Sequence, residues 1–442
     1  MLCKIAVVLS LLPAPAFAQL RVVSLNASNT GASTSAPRAD MSSILSAIGA
    51  AESDDPLLPG ASGITRPIDI LCLQESRSSA TTGVAYAALM NQIYSTDRYA
   101  AGTLDGATSG AGTQVVVYNT EAVTLQAMAA VGTVTATGSP RQALRYTFRP
   151  NGFISDAADL VIYNTHFKAG SATSDRSRRN VEAGDIRADA DTFGGGRNLI
   201  YLGDFNVARD TEPMYATLSA AGTAKAIDPI RAPGTWSDAA AFKPIHTQSP
   251  WDPALAAQTG FNGTAGGMDD RYDFQLISQA VDAGTSGLQY AVNSYNAFGN
   301  NGTHAQDAPI NSGAGADARV LNALAGILDH LPIVADYNLR PRLGLNLPGD
   351  ANLSLTTDLT DFSILAAHFN ATGQTWFAGD FNADGVAGIS DFSILASNFN
   401  TSAARPAQVP EPGMCSAIAA MLVIWARHRR PLRANLALAQ IV

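Results

Sequence analysis

Leu199-Ile200-Tyr201-Leu202-Gly203-Asp204-Phe205-Asn206 is the stretch on which the reading of this chain turns. Four successive apolar residues leave no polar face, the pattern of a strand covered on both sides. Gly203 ends the run, and an acid and an amide follow where a strand would pass into a turn. The arrangement recurs along the chain. Ile68-Asp69-Ile70-Leu71-Cys72-Leu73 is a second largely apolar run, and Gln74-Glu75 follow it. Residues 160–164 lead to Thr165-His166, residues 20–25 lead to Asn26, and Asp329-His330 stand just ahead of residues 333–337. With further strand patterns at 114–118 and 272–277 and helical patterns at 38–50, 82–94, 176–192 and 212–220, strands alternate with helices and the fold class is α/β. The Gly/Ser/Thr/Asn-rich stretches 101–113, 259–269 and 298–316 are predicted loops.

Composition narrows the function classes. The chain has 442 residues, 46% apolar and 15% charged, with a formal charge of −9 and lysine only at positions 4, 168, 225 and 243. Without a basic face, tight and salt-sensitive binding of nucleic acid is disfavoured. Hydrolysis of a phosphodiester stays compatible with this balance, because a bound metal can supply positive charge. Lys4, the apolar run 5–12 and Ala16-Phe17-Ala18 have the layout of an export signal cleaved after residue 18. That run is too short to span a bilayer. Only Cys72 and Cys415 then remain, so no internal disulfide framework is available, and Cys72 reads as a buried small hydrophobe.

After a Pro- and Arg-containing boundary at 339–348, the sequence repeats itself with a period of 30 residues. Gly349-Asp350-Ala351-Asn352 leads to Asp361-Phe362-Ser363-Ile364-Leu365-Ala366, and Gly379-Asp380-Phe381-Asn382 leads to Asp391-Phe392-Ser393-Ile394-Leu395-Ala396. In the second copy Asp380, Asn382, Asp384 and Asp391 fall at loop positions 1, 3, 5 and 12, with Gly385 at position 6. That is calcium-loop spacing, with Asp in place of the usual Glu at the end. The first copy offers Asp350, Asn352, Ser354, Asp358 and Asp361, but Leu355 replaces the glycine. Gly379–Asn382 repeats the letters of Gly203–Asn206, so the tetrapeptide alone does not define a site.

The acids, amides and histidines at the predicted strand ends suit a hard cation such as Mg²⁺ together with proton transfer. Taken in order, Asn26, Leu73-Gln74-Glu75, Asn164-Thr165-His166, Gly203-Asp204-Phe205-Asn206, Arg271-Tyr272-Asp273-Phe274 and Asp329-His330-Leu331-Pro332 resemble the endonuclease/exonuclease/phosphatase superfamily (the DNase I-like group) over residues 20–337. The resemblance implies a four-layer α/β sandwich, two mixed β-sheets flanked by helices. It implies Glu75 as principal ligand of Mg²⁺ or Mn²⁺, supported by Asn26 and Asp329. Asp204 and Asn206 take the place of the pair that positions the attacking water. His330 matches the histidine on the scissile phosphate, with Asp273 holding it, and His166 matches a second histidine beside the leaving-group or nonbridging oxygens. Arg141 is a weaker match to an arginine ahead of a strand, and Leu328 departs from the Ser or Thr often found before the Asp-His pair. Lys168, Arg176, Arg179 and Trp236 are candidate substrate contacts.

Two further resemblances concern the remainder. The tandem loops, each running into Phe-Ser-Ile-Leu-Ala, are similar to a type I dockerin. This implies a small all-α calcium-binding domain that docks onto a cohesin-like partner. Val409-Pro410-Glu411-Pro412-Gly413, the apolar run 414–426 and arginines 427, 429, 430 and 433 resemble a PEP-CTERM sorting tail, implying transient membrane association. The expected order is signal peptide 1–18, catalytic domain 19–338, linker 339–348, dockerin-like domain 349–400, linker 401–408 and sorting tail 409–442. The expected function is a secreted or cell-surface, metal-dependent phosphoesterase of nuclease or phosphodiesterase type, exported in the bacterial manner. A phosphomonoesterase, a lipid phosphodiesterase and a catalytically idle, dockerin-bearing interaction protein are the alternatives.

Overall fold

A computed structural model describes residues 19–27, 36–53, 64–107, 110–134, 140–264 and 266–405. The expected signal peptide and sorting tail therefore lie outside the described residues, and no described helix is long and apolar enough to cross a membrane.

The strands in chain order are β1 (Gln19–Asn26), β2 (Ile70–Ser76), β3 (Tyr99–Ala101), β4 (Thr113–Asn119), β5 (Val123–Val131), β6 (Ala143–Pro150), β7 (Leu160–His166), β8 (Asn198–Asp204), β9 (Asp273–Ile277), β10 (Leu288–Tyr290), β11 (Asn296–Ala297) and β12 (Ile333–Leu339). The first sheet has the order β10-β12-β1-β2-β4-β3, with β11 on β12, and the second has the order β9-β8-β7-β6-β5. Both are mixed: β1 and β2 run parallel, as do β7 and β8, while their other neighbours are antiparallel.

The doubly apolar runs occupy interior positions, as period-two side-chain placement requires. Ile70 and Cys72 of β2 and Ile200 and Leu202 of β8 enter the core between the sheets. Leu71 and Leu73 point the other way, under α1 (Met41–Ala50), α2 (Val84–Tyr94) and α7 (Ala318–Ile327). Leu199 and Tyr201 likewise face α3 (Thr173–Asp191) and α4 (Pro213–Ser219). Helices, sheet, sheet and helices thus make the expected four layers. The fully buried Cys72 thiol is pushed far up by its apolar surroundings.

All seven predicted strands and all four predicted helices form. Strands β3, β5, β6, β10 and β11 and helices α5 (Pro253–Thr259), α6 (Gln279–Ala283) and α7 lie where no element is predicted. β5 is an edge strand whose Ala-rich, half-buried middle carries little strand propensity. β6 does alternate, burying Leu144, Tyr146 and Phe148 against inter-sheet neighbours, and its pattern was legible.

Apolar packing is non-directional and would let two sheets slide; buried amides pin them. Asn164 Nδ2 donates to Leu73 O and Val115 O at 3.1 Å each, while Gln74 Nε2 donates to Asn164 Oδ1 at 2.7 Å. Gln275 Nε2 donates to Val22 O and Ile333 O at 3.0 and 2.9 Å, and its oxygen accepts from Tyr337.

Beyond β12, Leu345 packs into the inter-sheet core and Asn346 Nδ2 donates to Gly152 O at 2.9 Å. Helices α8 (Leu359–Ala367) and α9 (Ile389–Ser397) enclose a small core of Ala351, Leu365, Trp376, Phe381 and Leu395. Leu353 packs against both this core and the inter-sheet core. Its seat requires Gly152, where a Cβ would stand 2.4 Å from Leu353 Cβ.

Replacing Asn164 by Ala removes a hydrogen bond from each of two buried carbonyls and the shortest bond of the Gln74 amide, which keeps only its longer ones to Ser24 Oγ and Cys72 O. The expected loss is about 2–4 kcal/mol in urea unfolding. A loss below about 0.5 kcal/mol, the level of an ordinary surface change, would mean that the amide ties do not hold the sheets.

Candidate active site

Strand direction brings the chemistry-bearing residues to one end of the sandwich. The parallel pairs contribute their carboxyl ends: Asn26 and Glu75 from β1 and β2, His166 and Asp204 from β7 and β8. Antiparallel β9 and β12 contribute their starts, Asp273 and the preceding Asp329-His330. Asp204 lies directly opposite His166 on one side and Asp273 on the other. This is the crevice at strand carboxyl ends where α/β sheets hold ligands.

Local backbone chemistry aims each side chain. Glu75 sits at φ 54°, at the break in β2–β4 register between Leu73 and Ser76, so a bulge turns it out of the strand. Gly203, at φ 129°, lets β8 close on β7: a Cβ there would stand 1.9 Å from Thr165 O. Phe205 is buried between Phe167 and Phe274, with ring centroids at 5.2 and 5.0 Å, anchoring the turn that presents Asp204 and Asn206. Asn206 N donates to Asp204 Oδ1 at 2.9 Å, and its side-chain amide donates to Phe167 O.

The two sheets meet at the site itself, where Asn26 Nδ2 donates to Asp204 Oδ2 at 3.2 Å. His166 Nε2 lies 3.5 Å from the same oxygen and 3.9 Å from Glu75 Oε1. His330 Nε2 is 3.7 Å from Asp204 Oδ2, while its Nδ1 is 2.8 Å from Asp273 Oδ2. Glu75, His166, Asp204, Asn206, Asp329 and His330 all line one cleft of about 370 Å³.

The two histidines are held in opposite charge states. Burial, then Arg141 and His330, drive His166 well below its usual value, so it is neutral. Burial opposes charge on His330 too, but Asp273 and Asp204 outweigh it and hold the ring well above its usual value as imidazolium. Burial pushes the Asp204 carboxyl up against the pull of His330, and repulsion from Asp273 and Glu75 adds to the rise. Crowded carboxylates of this kind, with an amide and a further acid in the same cleft, fit a hard divalent cation. Asp204, Asp273 and His330 offer atoms within 4.8 Å of one another.

Other predicted contacts resolve differently. Trp236 is fully buried, donates to Ala232 O and packs on Tyr215 and Phe274; it is a core residue, out of the cleft. Arg179 lines the cleft but is bound to Glu212 at 2.6 Å and to the carbonyls of Lys168 and Gly170. Arg141 braces the end of β7 through His166 O and Phe167 O. Leu328 is fully buried.

Sequence reading missed Thr247. Its hydroxyl donates to Asp273 Oδ2 at 2.7 Å and accepts from Tyr272 N and Asp273 N, fixing the carboxylate that orients His330. The surrounding loop is tied to both neighbours, through Thr247 and Gln248 to Asp270 and through Leu331 N to Thr247 O. No local motif marks it, since its partners are distant in sequence. Arg271, read from the sequence only as part of residues 271–274, takes its role from equally distant partners. Fully buried, it pairs with Asp228 at 2.8 Å and stacks over Phe274 at 4.2 Å.

The two repeat loops share one backbone pattern. Asp380 accepts from Asp384 N and Gly385 N, and Asp391 Oδ1 accepts from Phe381 N and Asn382 N. Asp350 accepts from Ser354 N and Leu355 N, and Asp361 Oδ1 accepts from Ala351 N and Asn352 N. Asp380, Asp384 and Asp391 bring oxygens within 4.8 Å of one another. Asp358 caps α8 by accepting from Thr360 N at 2.7 Å.

No family model and no curated protein matches the sequence. Among solved structures, the human Nocturnin catalytic domain with bound sulfate is similar at 16% identity and TM-score 0.40, covering 73% of this chain and 95% of that one. D. rerio TDP2 complexed with single-strand DNA product is similar at 14% identity and TM-score 0.42, covering 72% and 99%. An endonuclease/exonuclease/phosphatase family protein from Bacteroides thetaiotaomicron is similar at 14% and 0.38, covering 72% and 94%.

Gly203→Ala tests how closely β7 and β8 must approach to form the site. The added methyl meets Thr165 O at a positive φ, so a loss above about 3 kcal/mol in urea unfolding is expected. An unchanged unfolding midpoint would show that the strands can part there at no cost.

Proposed function

We propose that this chain is a metal-dependent phosphoesterase that hydrolyses phosphodiester bonds by in-line attack of water. The observation that carries the reading is one cleft holding Glu75, Asp204, Asn206 and Asp329 with a neutral His166 and a charged His330. Asn26, Glu75 and Asp329 would hold Mg²⁺, or Mn²⁺ in its place, an oxygen donor set suited to hard cations. Once bound, the cation would draw charge from the phosphate oxygens and offset the acidity of the cleft.

The chain's own residues account for the rest. Asp204 and Asn206 hold the attacking water, with Asp204 as the acceptor of its proton. His330, kept charged by Asp273, donates a hydrogen bond to a nonbridging oxygen as negative charge grows there. Neutral His166 stands beside the oxygens of the leaving group or the phosphate. Thr247 fixes Asp273 and so the direction of the His330 ring. Nuclease or phosphodiesterase action ranks first among substrate classes; phosphomonoester and phospholipid cleavage remain alternatives within the same chemistry.

The test is hydrolysis of bis(4-nitrophenyl) phosphate with Mg²⁺, followed by DNA, RNA, phospholipid and phosphomonoester substrates. EDTA should abolish turnover. Glu75→Ala and His330→Ala should each lower kcat by roughly 10²-fold or more. Full activity in both variants would sink the reading. Absence of turnover on every substrate would favour the idle, interaction-only alternative.

The repeat module extends the proposal. The shared loop pattern supports Ca²⁺ binding by Asp380, Asn382, Asp384 and Asp391 and by Asp350, Asn352, Ser354, Asp358 and Asp361. Leu359, Phe362 and Phe369 are exposed in the first copy, as are Ile389, Phe392 and Phe399 in the second. A duplicated apolar face of this kind suits a cohesin-like partner. Together with the leader and tail expected from the sequence, it supports a location outside the cytoplasm or at the cell surface. Calorimetry of the full chain should give Ca²⁺ binding that weakens in Asp380→Ala, and equal heats in the two proteins would refute the loop assignment.

A further inference from the structure

Arg176 is placed by the phase of a helix. The inward stripe of α3 runs through Arg179, Ala183, Ile186 and Ala190 at spacings of three and four, and Arg176 continues it one step toward the amino end. Farther along, that stripe packs on the second sheet. At Arg176 the sheet has ended, and the side chain meets the cleft instead of a core. An arginine on the inward face of a helix usually has an acid to meet. Among the described residues, Arg176 forms no ion pair, and its Nε is buried without a partner.

Arg179 and Lys168 are committed elsewhere. Arg179 is held by Glu212 at 2.6 Å, and Lys168 lies 3.1 Å from Asp175. The segment between them is fixed by Arg179 to Lys168 O and Gly170 O, by Lys168 N to Glu182 and by Ala172 N to Asp175. Arg176 therefore stands on a rigid wall, in a chain whose net charge is −9. A cleft of about 370 Å³ is larger than one phosphoryl group needs.

We propose that Arg176 forms a second anion subsite beside the reacting phosphate, selecting nucleotide-type esters that carry a further phosphate over esters with one phosphate alone. This rests on the phosphoesterase reading of the same cleft. Guanidinium suits the role because its planar fork grips a phosphate at two points.

The test compares the dinucleotide TpT with its terminally phosphorylated forms pTpT and TpTp. Affinities are measured by calorimetry in EDTA, where no turnover intervenes. At least one phosphorylated form should bind wild-type protein about tenfold more tightly than TpT. That ratio should fall to about one in Arg176→Ala and be only partly kept in Arg176→Lys, which supplies the charge without the fork, with thermal unfolding confirming that both variants fold. A ratio near one in wild type, or an unchanged ratio in Arg176→Ala, overturns the proposal. Hydrolysis with Mg²⁺ is scored separately: failure to cleave any dinucleotide would count against the phosphoesterase reading, while the affinity ratio still decides Arg176.

Discussion

Everything at the site depends on the fixed offset between two sheets, and buried amides set that offset. Gln74 adjoins Glu75, Asn164 lies two residues before His166, and Gln275 lies two residues after Asp273. With side chains alternating along a strand, residues two apart share a face. The amides of Asn164 and Gln275 therefore cross the inter-sheet core on the same face of their strands as His166 and Asp273, one pleat deeper. A slip of one residue would break these bonds and carry His166 and Asp273 to the other face. Registry and the geometry of the site are one constraint.

Upon that frame the site separates its charges by partner. Two histidines of identical chemistry sit beside the same Asp204 oxygen and differ because of what lies behind them. His330 has Asp273 at 2.8 Å, and Asp273 is itself fixed by Thr247. His166 has Arg141 among its neighbours, and its Nδ1 is buried without a partner. One ring is thereby a charged donor and the other a neutral group, a division set by environments that push two titratable groups apart.

The strand-end residues were legible because apolar runs and punctuation are local. The four layers followed from runs apolar on both faces, around residues 70 and 200. What the sequence concealed depends on distance. Thr247 reaches Asp273 from a loop that carries no motif, and Trp236 looked like a cleft aromatic until its ring lay among Tyr215, Phe274 and Arg271. The repeated Gly-Asp-Phe-Asn shows why context decides. Gly203 lies within β8 against a neighbouring strand, whereas Gly379 ends a single helical turn at φ 95°. Phenylalanine is buried in both copies, and aspartate in both accepts backbone N–H groups of its own turn. The letters specify a compact Asp turn; the flanking element specifies which chemistry the turn faces.

The same logic explains the unequal halves of the repeat. Where the second loop has Ala383 and Gly385 at positive φ, the first has Leu353 and Leu355. A leucine in that region costs about 1–2 kcal/mol, so two of them need compensation. Leu353 packs against the inter-sheet core over Gly152, and Leu355 is buried, its N–H donating to Asp350 and its carbonyl accepting from Ala403 N. Burial, then repulsion from Asp361, pushes Asp350 up to about 7, the mark of a loop whose acids are drawn into the fold. The first copy thus joins the module to the sandwich. The second, with Gly385 at position 6 and a carboxylate, Asp384, where the first has Ser354 at position 5, keeps the less strained turn.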